Sequence, residues 1–368
     1  MPPKPPPQPH KKGYDAMKTK LFPCNDSRLL YMGRIDDSKS ESYRFIYAGS
    51  SVTIRFKGTY IAAVLANTMM SANEMSVGAL IDGRLTKCVF DNGWDNHDKQ
   101  TVTLAEGLND DWHTVTMFKR QAAYHYFEFF GFELDENAQI EKYEKNYALK
   151  LEVFGDSVSA GEVVEAVEYT ASSDPEGHNG QYDNAYYAYP MITARNLNAE
   201  IHNNAQGGIA IFDGTGYFHM PESIGVETTW DKLSYYPEGP YSDWDFSRYT
   251  PDIVIMAVGQ NDPHCEGQPD RDITDPDYRR KWKDKYMEIT RSLMEKYPSA
   301  QFVFLLTVLM HDPQWDMAVR EVTEELESER VHYLEFTRTG KATPGHPRIY
   351  EQYEMAEQLT AYIVNTLR

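Results

Sequence analysis

The pattern of apolar residues changes once along the chain, near residue 140, and this change constrains the fold most. Before it, short runs rich in β-branched and aromatic residues are separated by turn residues, without helical periodicity. Residues 51–56 alternate between apolar and polar side chains, and Asp82-Gly83 is a hairpin signal between two such runs. Residues 21–140 are therefore predicted to form an antiparallel β-sandwich, a jelly-roll of about eight strands.

The second half of the chain follows a different pattern. After a charged stretch at 135–150, buried apolar strands alternate with amphipathic helices, which is typical of a parallel sheet covered on both faces. The predicted strands are 150–154, 200–203, 253–258, 301–307 and 331–335, and the predicted helices are 185–196, 276–297, 317–329 and 350–367. Residues 141–368 are thus predicted to form an α/β domain. No Gly/Ser- or Pro-rich linker joins it to the sandwich, so we expect the two domains to pack together.

Two features of the chain bear on its compartment. Residues 1–20 begin MPPKPPPQPHKKG, a Pro-rich segment without an apolar core, which predicts a disordered lead-in and shows no export signal. The cysteines Cys24, Cys88 and Cys265 are widely spaced and form neither a CxxC pair nor a disulfide framework. A reducing compartment, and hence a cytoplasmic location, is expected; the alternative left open is that a signal peptide has been removed.

Charge and composition restrict the partners. Lys and Arg total 36 against 56 Asp and Glu, a formal net charge of −20, which disfavours nucleic acids and anionic membranes and suits a neutral or cationic ligand. No apolar run approaches the roughly 20 residues that cross a bilayer. His264 and Cys265 lack a further matching pair of ligands, so no metal site is expected.

A serine follows the first strand of the second half. In Gly155-Asp156-Ser157 the serine stands at the carboxyl end of a buried parallel strand, where open α/β sheets bind ligands. This is the expected place for a nucleophile. The structural alternative is that the serine only caps the following helix.

Three further segments carry groups that suit acyl transfer. Asn261, in a Gly-Gln-Asn-Asp segment after another strand, has an amide that can donate to an oxyanion, and residues 204–208 expose backbone N–H groups. His346 precedes the last helix and can serve as a base. Taken singly, each segment has a structural interpretation as a turn or a structural histidine.

In this order, the four segments resemble the SGNH or GDSL hydrolase superfamily over roughly residues 149–368. Together with the N-terminal jelly-roll, the chain resembles carbohydrate esterase family 2, of the acetyl xylan esterase type. The resemblance implies a three-layer α/β/α hydrolase domain. It also implies a serine esterase that removes O-acetyl groups from xylan-derived or related plant oligosaccharides and needs no cofactor.

The resemblance implies a role for each matching residue. Ser157 is the nucleophile and His346 the general base, while the N–H of Ser157, Gly208 (alternatively Gly207) and Asn261 form the oxyanion hole, and Asp156 and Asp262 are supporting residues.

The chain departs from the superfamily just before His346. Thr343 or Pro344 stands where the superfamily has an aspartate, so the resemblance implies a Ser-His dyad in which a backbone carbonyl of Pro344 or Gly345 orients the imidazole. The alternative is a carboxylate from elsewhere in the chain. Asp312 and Asp316 are the candidates.

Aromatic residues in loops and at strand ends are candidates for stacking on a sugar. Trp315 is the first choice, followed by Trp230 and Trp244, with Tyr235 and Tyr236 nearby in the sequence; the alternative for each is packing under the long loop 207–249. Two other functions stay open, a noncatalytic carbohydrate-binding protein and a GDSL lipid or short-chain esterase. The sequence leaves the oligomeric state open.

Overall fold

The computed structural model describes residues 18–67, 74–91, 98–235, 241–310, 312–337 and 344–367. The predictions made for residues 1–17, Tyr236 and Thr343 lie outside these described residues.

Two antiparallel six-stranded sheets form the first part of the chain. Their strands are β1 (Thr19–Pro23), β2 (Leu30–Met32), β3 (Ile35–Asp36), β4 (Tyr43–Phe45), β5 (Ser51–Gly58), β6 (Ile61–Asn67), β7 (Met75–Ile81), β8 (Arg84–Phe90), β9 (Gln100–Ala105), β10 (Asp111–Lys119), β11 (Phe127–Asp135) and β12 (Gln139–Glu141). The order is β4-β11-β6-β9 in one sheet and β5-β10-β7-β8 in the other, with β1, β2, β3 and β12 as additional short strands. The predicted jelly-roll is confirmed, although β1 begins inside the range predicted to be a disordered lead-in.

The sandwich core follows from the alternation of side chains along the strands. Inward-facing residues of both sheets are fully buried, and the rings of Phe45 and Phe127 stack with their centroids 5.2 Å apart. Asp82 and Gly83 both adopt left-handed backbone angles in the turn that joins β7 to β8, as their hairpin signal indicated.

A five-stranded parallel sheet follows, in the order β14-β13-β17-β18-β19. The elements are β13 (Leu149–Gly155), α1 (Ser157–Ala160), α2 (Tyr189–Asn196), β14 (Ala199–Asn203), α3 (Val226–Thr229), β15 (Lys232–Ser234), β16 (Ser242–Asp243), β17 (Ile253–Ala257), α4 (Pro276–Lys296), β18 (Gln301–Phe304), α5 (Pro313–Glu325), β19 (Val331–Tyr333) and α6 (Ile349–Thr366). Apolar residues of α4 and α5 pack on one face of the sheet, and those of α2 and α6 pack on the other. The predicted three-layer domain is confirmed.

The helix boundaries follow local capping. Helix α5 begins at Pro313, earlier than predicted, because Asp312 caps it and accepts a hydrogen bond from the Gln314 N–H at 2.8 Å. Among the described residues, no helix is both long and apolar enough to span a membrane.

A buried ion pair joins the two domains. Arg34, between β2 and β3, donates from Nη2 to Glu152 Oε1 at 3.0 Å, and both side chains are fully buried. Glu152 lies on β13, the strand that leads to Ser157. The same guanidinium donates to the backbone carbonyls of Trp230 and Lys232 at 3.2 and 2.9 Å. These contacts agree with the prediction that the sandwich packs on the α/β domain.

Replacing Arg34 with methionine should lower the free energy of unfolding by about 3–5 kcal/mol, because it leaves the Glu152 carboxylate buried without its cation. Urea denaturation measures the change. Arg248→Met is the matched control, since Arg248 also pairs across the two domains, with Asp37 at 3.1 Å, but both side chains are exposed. It should cost at most about 1 kcal/mol. Equal losses in the two variants would contradict a special role for the buried pair.

Candidate active site

Ser157 is presented at the carboxyl end of β13 by a short helical turn. The cap of that turn is Asp156, whose Oδ1 accepts the Val158 N–H at 3.0 Å, so the serine is not the capping residue. Ser157 is the first residue of α1, and its N–H therefore has no acceptor within the helix. Burial raises the pKa of the Asp156 carboxyl to about 6. The hydroxyl and the amide of Ser157 are both left for a substrate.

A hydrogen-bonded chain connects Ser157 to a histidine and an aspartate. His346 Nε2 lies 2.9 Å from Ser157 Oγ, and His346 Nδ1 lies 2.6 Å from Asp174 Oδ2. The His346 backbone N–H also donates to Asp174 Oδ1, at 2.9 Å. This is the geometry of a serine nucleophile, a base and a carboxylate that orients the base.

The expected dyad is corrected by this geometry, because a carboxylate and not the carbonyl of Pro344 or Gly345 faces the imidazole. Asp174 comes from the irregular segment between α1 and α2. That segment is held beside the histidine because the Gly345 N–H donates to the Ser172 carbonyl at 3.2 Å.

The two aspartates considered from the sequence serve elsewhere. Asp312 caps α5, and Asp316 Oδ1 accepts the hydroxyl of Tyr333 at 3.0 Å. Neither forms the hydrogen bond to His346 Nδ1, which Asp174 accepts.

Arg348 fixes the Asp174 carboxylate. Its fully buried guanidinium donates from Nη1 to Asp174 Oδ1 at 2.8 Å. Burial by itself would raise the pKa of Asp174, but hydrogen bonds from His346 and Arg348 outweigh burial and hold it well below its usual range. Asp174 is therefore ionised at neutral pH.

The environment of His346 raises its pKa. Burial alone would lower the pKa, but the hydrogen bond and charge of Asp174, with the nearby carboxyls of Glu162 and Asp156, outweigh it. A dyad without a carboxylate would leave the pKa of His346 nearer its ordinary value.

Gly208 and Asn261 lie at the same end of the parallel sheet as Ser157, beyond the carboxyl ends of its strands. The Gln206 N–H donates to the carbonyl of Gly155 at 2.9 Å, which holds the loop after β14 against the end of β13. Gly208 then adopts a φ of +73°, in the left-handed region that favours glycine. Asn261 Nδ2 donates to the Ile209 carbonyl at 3.0 Å, which leaves its second N–H for a ligand.

Asp262 supports this loop from below. Its fully buried carboxylate accepts the Ile211 N–H at 3.0 Å and the indole N–H of Trp282 at 2.7 Å, and burial raises its pKa to about 7. Asp262 thus contacts the loop that carries Gly208 and does not line the cavity over Ser157.

A cavity of about 520 Å³ opens over these groups. Ser157, Gly208, Asn261 and His346 all line it, so the structure brings together the residues predicted for the nucleophile, the base and the oxyanion hole. The remaining wall includes Glu162, Tyr217, Gln260, Pro263, His264, Asp270, Leu306, Leu309, Met310 and Trp315.

The aromatic residues divide between the cavity and the domain contact. Trp315 lines the cavity but is only 4% exposed, because it packs edge-to-face on Trp282 at 5.3 Å. Trp230 and Trp244 do not line it. Trp244 lies 5.2 Å from the Arg34 guanidinium, and the carbonyl of Trp230 accepts a hydrogen bond from the same group. Their assignment to a sugar site is therefore corrected, since they surround a buried cation.

Tyr217 is a site residue that the sequence analysis missed. Its ring is stacked on His264 with centroids 4.0 Å apart and 6° between the planes, and the residue is 52% exposed. Its place in a long loop rich in tyrosine was the available signal. Within the described part of the chain, no group of three or more His, Cys, Asp or Glu residues is arranged to hold a metal.

Comparisons with known proteins agree with this architecture. Residues 31–142 match the sequence profile described as "Carbohydrate esterase 2 N-terminal". The chain is 28% identical over 352 residues to "Cellulase/esterase CelE" of Acetivibrio thermocellus, which covers 92% of this chain and 39% of that protein. It thus spans less than half of CelE. It is 25% identical over 351 residues to "Acetylxylan esterase / glucomannan deacetylase" of Cellvibrio japonicus, over 93% of this chain and 90% of that one.

Solved structures show the same arrangement of both domains. A family two carbohydrate esterase from Clostridium thermocellum in complex with cellohexaose has a TM-score of 0.76 and 26% identity, covering 92% of this chain and 99% of that chain. The sequence relatives and this structure each extend over both the jelly-roll and the hydrolase domain, so the chain is similar to family 2 carbohydrate esterases over both of its domains.

Proposed function

We propose that the protein is a serine esterase that removes O-acetyl groups from xylan-derived or related plant oligosaccharides. The observation that carries the proposal is the Asp174-His346-Ser157 chain of hydrogen bonds, which faces a cavity that Gly208 and Asn261 also line. Similarity to carbohydrate esterases supports the substrate class, and the relative from Cellvibrio japonicus is named as an acetylxylan esterase and glucomannan deacetylase.

The proposed reaction begins with attack by Ser157 Oγ on the acetyl carbonyl, while His346 Nε2 takes the hydroxyl proton. Asp174 keeps the proton on Nδ1 and stabilises the imidazolium that forms. The N–H groups of Ser157 and Gly208 and the free N–H of Asn261 hold the oxyanion of the tetrahedral intermediate.

The intermediate then collapses to an acetyl-enzyme. The imidazolium of His346 returns its proton to the departing sugar oxygen, so the sugar leaves as an alcohol. A water molecule next loses its proton to His346 and attacks the acetyl group on Ser157, which releases acetate and restores the serine hydroxyl. Each cycle needs only the ester and water.

The exposed ring of Tyr217, held by His264, provides a flat surface beside the nucleophile on which a pyranose can stack. A formal charge of −20 suits a neutral sugar better than an anionic one. A long acyl chain would need a continuous apolar groove, and the polar side chains of Glu162, Gln260 and Asp270 interrupt the lining of the cavity.

The proposal predicts that the purified protein releases acetate from acetylated xylo-oligosaccharides and hydrolyses long-chain p-nitrophenyl esters far more slowly. Acetate release and p-nitrophenol absorbance measure the two rates. Faster turnover of the long-chain esters would make the protein a lipid esterase. Binding of the oligosaccharide without acetate release would make it a noncatalytic sugar-binding protein. Either result would contradict the proposal.

A further inference from the structure

Glu162 is a carboxylic acid at the site that the proposed reaction does not use. It directly follows the helical turn of the nucleophile, and its N–H donates to the Ser157 carbonyl at 3.0 Å. Its side chain lines both the cavity over Ser157 and a second cavity of about 340 Å³. Tyr124 of the sandwich and Gly207 line that second cavity as well. Glu162 therefore stands where the two cavities meet.

The carboxyl group of Glu162 has an unused hydrogen-bonding atom. Its Oε1 is buried and has no hydrogen-bond partner among the described residues. It lies against the backbone of Gly207, so closely that a Cβ at that position would be 1.9 Å from Oε1. A buried polar atom without a partner is destabilising, and a ligand that supplies a hydrogen-bond partner to this carboxyl removes that penalty.

The surroundings disfavour the ionised form of this carboxyl. Burial raises the pKa of Glu162 to about 8, and the negative charges of Asp183, Asp156 and Asp174 act in the same direction. The charge of His346 opposes them. A neutral carboxylic acid both donates and accepts a hydrogen bond, which matches a sugar hydroxyl in both directions.

We propose that Glu162 recognises the substrate by hydrogen bonding to the ring hydroxyl next to the acetylated carbon. The proposal rests on the proposed deacetylation. Gly208 lines the same two cavities as Glu162, so an acetyl carbonyl held at Gly208 places the adjoining sugar ring beside this carboxyl. Glu162 is thus a specificity-determining residue that selects an acetyl ester with a free neighbouring hydroxyl.

The test uses the full-length protein with monoacetylated methyl β-xylopyranosides and their monodeoxy analogues, which lack a hydroxyl next to the ester. For the wild type, removal of the recognised hydroxyl should lower kcat/KM by about 100-fold or more. Glu162→Ala should lose a similar factor on the parent ester and lose nothing more on the deoxy analogue. Glu162→Gln keeps a donor and an acceptor, and it should retain part of the discrimination.

Gly207→Ala tests the same contact from the other side. Gly207 is not in the left-handed region, so alanine fits the backbone, and the new methyl displaces only the end of the Glu162 side chain. The substitution should reduce discrimination in the wild type and have no further effect in Glu162→Ala. Glu168→Ala, an exposed glutamate on the same segment, is the matched control and should behave as the wild type.

The outcomes separate two kinds of failure. A wild-type protein that hydrolyses no acetylated xyloside would overturn the proposed function itself. An active wild type whose preference for the hydroxyl is unchanged in Glu162→Ala would overturn only the role of Glu162. A loss in Gly207→Ala that persists in the Glu162→Ala background would do the same.

Discussion

Replacement of Asp174 by asparagine is expected to lower kcat about 10⁴-fold, the loss seen when a triad carboxylate becomes an amide. The Oδ1 of the aspartate accepts hydrogen bonds from Arg348 and from the His346 backbone N–H, so an asparagine keeps its carbonyl there. Its NH₂ group then faces His346 Nδ1. The imidazole is forced to carry its proton on Nε2, where it cannot accept the proton of Ser157.

The pH dependence of kcat/KM distinguishes this mechanism from a loss of activity caused by misfolding. A base must be unprotonated, and Asp174 contributes to a pKa of His346 above its ordinary value of about 6.5, so the acid limb of the wild-type kcat/KM lies above that pH. In Asp174→Asn the limb should move to lower pH, because the negative charge beside the imidazole is gone. A limb that stays in place would contradict the assignment of Asp174.

Two controls accompany this variant. Arg348 loses a charge partner in Asp174→Asn, so rates are compared per folded molecule, with the folded fraction taken from circular dichroism. The second control is Asp316→Asn. The Asp316 carboxylate accepts a hydrogen bond from the Tyr333 hydroxyl, and this variant should keep kcat within about tenfold of the wild type. A loss of less than tenfold in Asp174→Asn itself would restore the dyad.

Replacement of Ser157 by alanine is expected to reduce kcat by about 10⁵- to 10⁶-fold, since the covalent route disappears altogether. The fold should survive, because the change removes one hydroxyl and one hydrogen bond, to His346, worth about 1 kcal/mol. Acetate release measures the activity and thermal unfolding measures the stability.

Ser159→Ala is the matched control for this experiment. Ser159 is a buried serine in the same helical turn, but its hydroxyl is hydrogen-bonded to Tyr189 at 3.0 Å and it does not line the cavity. This variant should retain activity. Turnover by Ser157→Ala above a small percentage of the wild-type rate would remove Ser157 from the nucleophile role. An equal loss of activity in Ser159→Ala would also contradict the assignment.

The parts of this structure that depend on periodicity were predictable. Strands with alternating or fully apolar side chains, and the amphipathic helix α6, could be recognised because burial leaves a regular trace in the sequence. Ser157, Asn261 and His346 could be placed because each directly follows a predicted strand or precedes a predicted helix. The short strands β1, β3 and β12 were missed because their few residues show no such trace.

The third member of the hydrogen-bonded chain could not be found in the same way. Asp174 lies in an irregular segment, and contacts between residues distant in the sequence bring it to His346, among them the hydrogen bond from the Gly345 N–H to the Ser172 carbonyl. Trp230 and Trp244 looked like site residues for a related reason. Both residues contact Arg34, a buried cation from the other domain. The local sequence does not indicate which charged residue becomes buried through long-range packing.

The pairing of Arg34 with Glu152 also bears on how such a protein can be recombined. The strand that presents the nucleophile carries the anchor of the jelly-roll only a few residues earlier. A hydrolase domain transplanted without its own jelly-roll would carry the Glu152 carboxylate without its cation. Chimaeras of related proteins are therefore expected to fold when the jelly-roll and the hydrolase domain come from the same protein. A chimaera that joins the two domains from different proteins is expected to fail unless the arginine and the glutamate are exchanged as a pair.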